Sequence, residues 1–120
     1  MKKILLVDDS QDIIDSLIRW INLMDNLSIV GTADNAKSAI NLFIEIKPDI
    51  VILDINLKEG TGIEVLSEIK KINVNTIVII LTNYTLAAFK KSALENGADY
   101  FLDKTQDVDK LTKILAKLNV

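Results

Sequence analysis

The sequence predicts an α/β fold: a parallel sheet covered by helices on both faces. Three observations point there. Aliphatic runs such as Ile50-Val51-Ile52-Leu53 lack the alternation of a half-exposed strand and read as strands buried on both sides. Between such runs, apolar residues recur at three- and four-residue spacing, the stripe of an amphipathic helix. The two signals alternate along the whole chain through short polar joints.

Each strand and helix has its own reason. Ile4-Leu5-Leu6-Val7 is a first buried strand, closed by Asp8-Asp9-Ser10. Ile14, Leu17, Ile18 and Ile21 form the first helical stripe. Ser28 to Ala33 is a weaker strand, interrupted by Gly31 and suited to a sheet edge. Ala36, Ala39, Ile40 and Phe43 mark a second helix, stopped by Pro48. The third strand ends at Asp54, and a polar turn, Lys58-Glu59-Gly60, follows. Thr61 and Glu64 make a capping box for the helix bearing Val65, Leu66, Ile69 and Ile72. Thr76 to Thr82 is the fourth strand; Leu86, Phe89 and Ala93 mark the fourth helix, with Gly97 suited to the left-handed position after it. Tyr100-Phe101-Leu102 is a short last strand ending at Asp103-Lys104, and Val108, Leu111, Leu115 and Leu118 complete a fifth helix.

Composition narrows the function. A chain of 120 residues has room for one core, so residues 1–120 are expected to form a single domain. The net charge of −3 argues against a nucleic-acid-binding surface. Without cysteine there is no disulfide or thiolate chemistry, and without histidine the commonest general base and the usual zinc ligand are missing. Met1-Lys2-Lys3 leads into an apolar run that halts at Asp8-Asp9, too short for a signal peptide, and no run is long enough to span a membrane. The expectation is a cytoplasmic protein that contacts neither membrane nor nucleic acid.

The chemistry concentrates where buried runs stop. An unpaired carboxylate is expensive to bury, so Asp54 belongs at the carboxyl edge of the sheet, where open α/β sheets bind ligands. Right-handed crossovers bring Asp8, Asp9, Thr82 and Lys104 to the same edge. Gathered carboxylates repel one another unless a cation intervenes, and magnesium, with its preference for oxygen ligands, meets that need. Beside magnesium, Asp54 becomes a nucleophile toward phosphorus, with Lys104 and Thr82 available to phosphoryl oxygens. Taken singly, each residue has a plainer reading. Asp9 or Ser10 could cap the first helix, Thr82 could bond its own turn, Lys104 could be solvated and Phe101 could be core.

Taken together, Asp8-Asp9, Asp54, Thr82 and Lys104, with Gly62 eight residues after Asp54 and Phe101 three before the lysine, resemble the receiver domain of two-component response regulators. The resemblance covers essentially the whole chain. It implies a flavodoxin-like doubly wound sheet of five parallel strands in the order 2-1-3-4-5, with five helices. It implies a phosphorylation-dependent switch rather than an enzyme, with only self-catalysed phosphoryl acceptance and slow autodephosphorylation. Asp54 would take the phosphoryl group from a histidine kinase or histidine phosphotransfer protein. Asp8, Asp9, Asp54 and the Asn56 carbonyl would hold magnesium, and Thr82 and Lys104 would bind phosphoryl oxygens.

The resemblance further implies that Thr82 moves toward the phosphoryl group and Phe101 swings into the space behind it. The readout would be the face of the fourth helix, fifth strand and fifth helix, around Ala87, Lys90, Lys91, Tyr100 and Val108, toward a downstream protein target or a phosphorylation-dependent dimer. The run from Gly97 to Lys104 resembles that of single-domain members, which favours a stand-alone receiver. Two alternatives are a degenerate receiver serving only as an interaction module and an aspartyl-phosphate phosphatase of the haloacid dehalogenase type. The latter places its nucleophile early, in an Asp-x-Asp arrangement absent here.

Some positions depart from the family pattern. Lys58 stands where proline is frequent, which predicts a less constrained loop. Thr105 replaces the proline that often follows the lysine; a cis bond before a non-proline residue costs about 2.5–4 kcal/mol, so Lys104–Thr105 is expected to be trans. Asn83 follows Thr82 where a small residue is usual, narrowing access. Tyr84, two past Thr82, is placed to overhang the acceptor and obstruct hydrolytic water.

Overall fold

Strand and helix alternate throughout the computed structural model, which describes residues 1–119. In chain order they are β1 (Lys2–Val7), α1 (Gln11–Ile21), β2 (Leu27–Ala33), α2 (Ala36–Ile46), β3 (Ile50–Leu53), α3 (Gly62–Ile72), β4 (Ile77–Thr82), α4 (Ala87–Glu95), β5 (Tyr100–Asp103) and α5 (Val108–Leu118). The five strands form one parallel sheet in the order β2-β1-β3-β4-β5, as the resemblance implied. β2 lies at an edge, and its pairing with β1 slips at Ile4/Leu5, opposite the stretch holding Gly31.

Because successive strand residues face opposite ways, each aliphatic run feeds two cores. Leu5, Val7, Val51, Leu53, Val78 and Ile80 pack with Phe43 of α2, Val65, Leu66 and Ile69 of α3 and Ala93 of α4. Ile4, Leu6, Ile50, Ile52, Ile79 and Leu81 pack on the other face with Ile14 and Ile21 of α1 and Leu111 and Leu115 of α5. A fully buried Ile or Leu stabilises by roughly 1.5–3 kcal/mol, so the central strands are the most firmly held part of the molecule.

Helix ends follow their local chemistry. Ser10 and Asn35 accept N–H bonds from Ile13 and Ser38 at the starts of α1 and α2. The Thr61–Glu64 capping box forms in both directions, at 3.2 and 3.3 Å. Gly97 takes a φ of +97° after α4. Three positions on the apolar helical stripes are exposed: Leu86 is the residue before α4, Ile72 closes α3, and Val108, which the readout face also includes, opens α5, with 69%, 50% and 54% exposure. All three sit at helix ends, where the stripe runs past the sheet it covers.

The loop after β3 also differs from expectation. Lys58 does not leave it loose: the Lys58 N–H donates to the Asp34 carbonyl at 3.0 Å, its ammonium pairs with the Asp34 carboxylate at 3.0 Å, and the Ala36 N–H donates to the Glu59 carbonyl at 2.9 Å. Gly60, at φ +79°, lies against Ala36, where a Cβ would come within 2.5 Å of the Ala36 methyl. The loop is therefore pinned to the start of α2.

Gly62 has the tightest surroundings. A Cβ there would fall inside contact distance of the Asp54 carbonyl, 2.8 Å from its carbon and 2.9 Å from Ile55 Cα, and the Gly62 N–H donates to the Ile55 carbonyl at 2.7 Å. Since the obstacle is backbone, Gly62→Ala should cost about 1–3 kcal/mol by overpacking, read as a lower urea midpoint with an unchanged slope.

Candidate functional site

Three backbone bonds set the site. The N–H of Asp8 donates to the Ala33 carbonyl at 3.0 Å, that of Asp54 to the Val7 carbonyl at 2.9 Å, and that of Lys104 to the Thr82 carbonyl at 3.1 Å. Each continues the ladder of a neighbouring strand by one step, so each residue leaves the sheet in a defined direction. Their side chains meet at the carboxyl edge.

The Lys104 ammonium donates to Asp54 Oδ2 at 2.7 Å and pairs with Asp8 Oδ2 at 2.8 Å. All three side chains are nearly buried, at 10%, 4% and 5% exposure. Asp9 is more exposed and completes a set of carboxylate oxygens lying within 4.8 Å of one another, a group able to hold a metal ion. Asp8 Oδ1 also accepts the Ser10 N–H at 2.9 Å, whereas Asp54 Oδ1 accepts only a long 3.4 Å contact from the Asn56 N–H. An open cleft of about 590 Å³ lies over these groups, lined by Asp9, Ser10, Ile13, Asp54, Asn56, Asn83, Tyr84 and Lys104.

The electrostatics follow from one ammonium shared by several acids. Burial pushes the Asp8 carboxyl above its ordinary value, and the hydrogen bonds from Lys104 and from the Ser10 N–H do not fully offset it. Burial also pulls on Lys104, but its hydrogen bonds to Asp54 and Asp8, with their charges, outweigh that and leave the ammonium raised. The two directions agree physically: Lys104 sees two anions, whereas Asp8 shares one cation with a second anion. The pocket keeps an excess of negative charge, which suits a small hard cation.

The expected residues are therefore close together: Lys104 in direct contact with Asp8 and Asp54, an Asp9 oxygen within 4.8 Å of theirs, and Asn56 in the wall. Thr82 is fully buried, and its Oγ1 accepts the Tyr84 N–H at 3.1 Å, so the turn-bonding alternative for Thr82 is also realised. Ser10, for its part, does cap α1. Phe101 is partly buried, paired with Ile80 in register and packed on the α2–α3 side of the sheet. Tyr84 lines the cleft and meets Phe89 edge to face, ring centroids 6.0 Å apart. Lys104–Thr105 is trans, as expected. Asp103 and Asp107, which tie the turn carrying Lys104, were not singled out; the signal was present as two acids four apart around Lys-Thr at a helix start.

Residues 4–116 match the family described as the response regulator receiver domain. The chain belongs to that family. A transcriptional regulatory protein of Bacillus subtilis, YdfI, is 36% identical over 104 residues, covering 87% of this chain and 48% of the relative. The chain spans about half the length of the curated relatives it matches. A LuxR-family DNA-binding response regulator from Staphylococcus aureus superposes with a TM-score of 0.90 at 29% identity, each chain fully covered. A chain of the CheX–CheY–BeF3–Mg complex from Borrelia burgdorferi gives a TM-score of 0.87 at 28% identity, covering 99% of this chain and 90% of that one. No helix among the described residues is long and apolar enough to cross a membrane.

Because the folded ammonium lies above its ordinary 10.5, Lys104 contributes stability that is complete below that pH and is lost as pH rises through the folded value. Lys104→Met should abolish this alkaline loss. At neutral pH it should lower stability by about 2 kcal/mol, by leaving Asp8 and Asp54 facing each other uncompensated. Magnesium should restore more of the mutant's stability than the wild type's, measured by urea unfolding with and without chelator.

Proposed function

We propose that this chain is a phosphorylation-activated signalling switch in which Asp54 accepts a phosphoryl group with magnesium bound beside it. The observation that supports this best is the Lys104 ammonium bonded to both Asp54 and Asp8 on the floor of an open cleft, next to Asp9. A phosphatase nucleophile in an early Asp-x-Asp pair has no counterpart here.

The residues divide the work as follows. Asp54 Oδ2 is held by Lys104, so Oδ1, with only its long Asn56 contact, is the oxygen freest to attack phosphorus. Attack forms the carboxyl–phosphate bond and breaks the bond from phosphorus to the donor's imidazole nitrogen, which leaves to be protonated by solvent. Asp8, Asp9 and Asp54 would hold magnesium, with the Asn56 carbonyl as a further ligand. Magnesium so bound supplies charge neutralisation at the phosphoryl oxygens. Lys104 then balances the new negative charge, and the Thr82 hydroxyl, whose oxygen already accepts the Tyr84 N–H, still has its own proton to donate.

The donor on this reading is a histidine kinase or histidine phosphotransfer protein. The presence of BeF3 and magnesium in the Borrelia CheX–CheY complex supports the same chemistry in a similar fold. The output is a surface change relayed from Thr82 to Phe101 and the α4–β5–α5 face, offered to a downstream protein or a second receiver. Leu86, Leu94 and Val108 expose apolar area in α4 and α5 and the residue just before α4. Turnover is limited to accepting the group and slowly hydrolysing it.

Incubation with acetyl phosphate and magnesium should add a single phosphoryl adduct by intact mass, absent in Asp54→Asn and in the presence of chelator; an equal adduct on Asp54→Asn would refute the assignment. Thr82→Ala should slow acceptance by about tenfold or more through loss of one positioned donor. Tyr84→Ala should shorten the phosphorylated lifetime by opening the cleft to water, followed by the decay of the adduct; an unchanged or longer lifetime would count against its shielding role.

A further inference from the structure

Lys104 sits in a turn that has no proline to stiffen it, yet this turn is among the most heavily cross-linked of the loops. Asp103 Oδ1 accepts the Thr105 N–H and the Thr105 hydroxyl, each at 2.7 Å, and the Gln106 N–H at 3.2 Å. Asp107 Oδ2 accepts the Asp103 N–H at 2.8 Å, and the Asp107 N–H donates back to the Asp103 carbonyl at 3.0 Å. Asp107 occupies the cap position of α5, where an aspartate ordinarily bonds the helix's own first N–H groups; here its side chain makes no such bond. Its Oδ2 is turned back to the strand end, while Oδ1 pairs with the Lys110 ammonium at 3.3 Å. Both acceptors are favoured in their ionised form: the Thr105 hydroxyl and N–H hold Asp103 below the ordinary carboxyl value, and the Asp103 N–H does the same for Asp107.

These bonds bracket Lys104, whose own N–H is fixed to the Thr82 carbonyl at 3.1 Å. A lysine's long stem is flexible, so where its ammonium rests depends on how firmly its backbone is held. We propose that Asp103, braced by Asp107, is the positioning residue for Lys104, replacing the rigidity a proline would give and setting the ammonium on Asp54 and Asp8. This rests on the reading of Asp54 as phosphoryl acceptor. The lock has two opposite consequences. It aids phosphoryl acceptance by presenting the cation in place, and it opposes magnesium entry by keeping that cation on the same two carboxylates.

The test measures both quantities on the full chain: the rate of phosphorylation by acetyl phosphate and the magnesium Kd by isothermal titration. Asp103→Ala should slow phosphorylation about tenfold and tighten magnesium about threefold, the scale expected of a misplaced but intact group. General loosening of the fold would weaken both. Asp103→Asn, whose amide oxygen can accept the same donors, should restore most of each value. In a Lys104→Ala background, Asp103→Ala should change neither. If Asp103→Ala does not fold, Thr105→Val, lacking one of the three bonds, should give smaller shifts of the same signs. The proposal is overturned if the alanine variant matches wild type, if asparagine fails as alanine does, or if the effect persists without Lys104. A wild type that takes no phosphoryl group would sink the acceptor reading, while the magnesium comparison would still decide the lock.

Discussion

A single buried ammonium facing several carboxylates is the constraint on which the rest of the structure depends. Asp8 and Asp54 are nearly excluded from solvent, and isolated buried carboxylates would be intolerable. Lys104, from a strand end on the far side of β4, keeps them compatible with folding. The compensation is incomplete by design of the set, since burial still raises the Asp8 carboxyl with Lys104 in contact. What is left over is a demand for further positive charge, directed at the cleft.

Meeting that demand needs fixed positions, and the sheet supplies them to the charged groups without placing those residues within strands. Asp8, Asp54 and Lys104 each lie one step past the last residue of their strand, with the backbone N–H still engaged to a neighbouring strand. The backbone is thus as fixed as the core, while the side chain is free of the alternation that would bury it on one face. Gly62 completes the frame: α3 begins against the Asp54 carbonyl because nothing larger than hydrogen intervenes. Asp54 is held on one side by β1 and on another by the start of α3.

Most of this was legible in the residues, for identifiable reasons. Asp54 follows four aliphatic residues, and no structural benefit explains an acid there, so its place at the sheet edge could be read directly. The two-sided burial of the strands was equally plain in unbroken runs such as Ile77-Val78-Ile79-Ile80-Leu81. Leu86 and Ile72 fall on helical stripes yet are exposed, because periodicity reports a helix face but not how far the sheet beneath it extends. Lys58 misled because the loop's rigidity comes from Asp34 and Gly60, contacts between segments distant in sequence that no local pattern encodes. Thr82 shows a further limit: the turn-bonding and functional readings are not exclusive, since one hydroxyl can accept from Tyr84 and still donate.

That last point bears on where a switch in this molecule can draw its energy. Inverting a one-to-ninety-nine population needs about 5.5 kcal/mol of interaction that differs between the states, and contacts present in both contribute nothing. Lys104 is already bonded to Asp54 before any phosphoryl group arrives, so it adds only the gain from a greater negative charge. The Thr82 proton is differently placed. Among the hydrogen bonds of the described residues the Thr82 hydroxyl only accepts, so a donation to a phosphoryl oxygen would be wholly new. Thr82 is also fully buried on β4, two residues beyond Ile80, which pairs with Phe101, so any shift must be absorbed by close-packed neighbours. Phe101, beside Ile80 in register, is only partly buried, and on the proposed reading it is the side chain that would move. The lysine therefore makes the folded arrangement possible, and on the proposed reading the threonine is where a phosphorylated state would acquire its advantage.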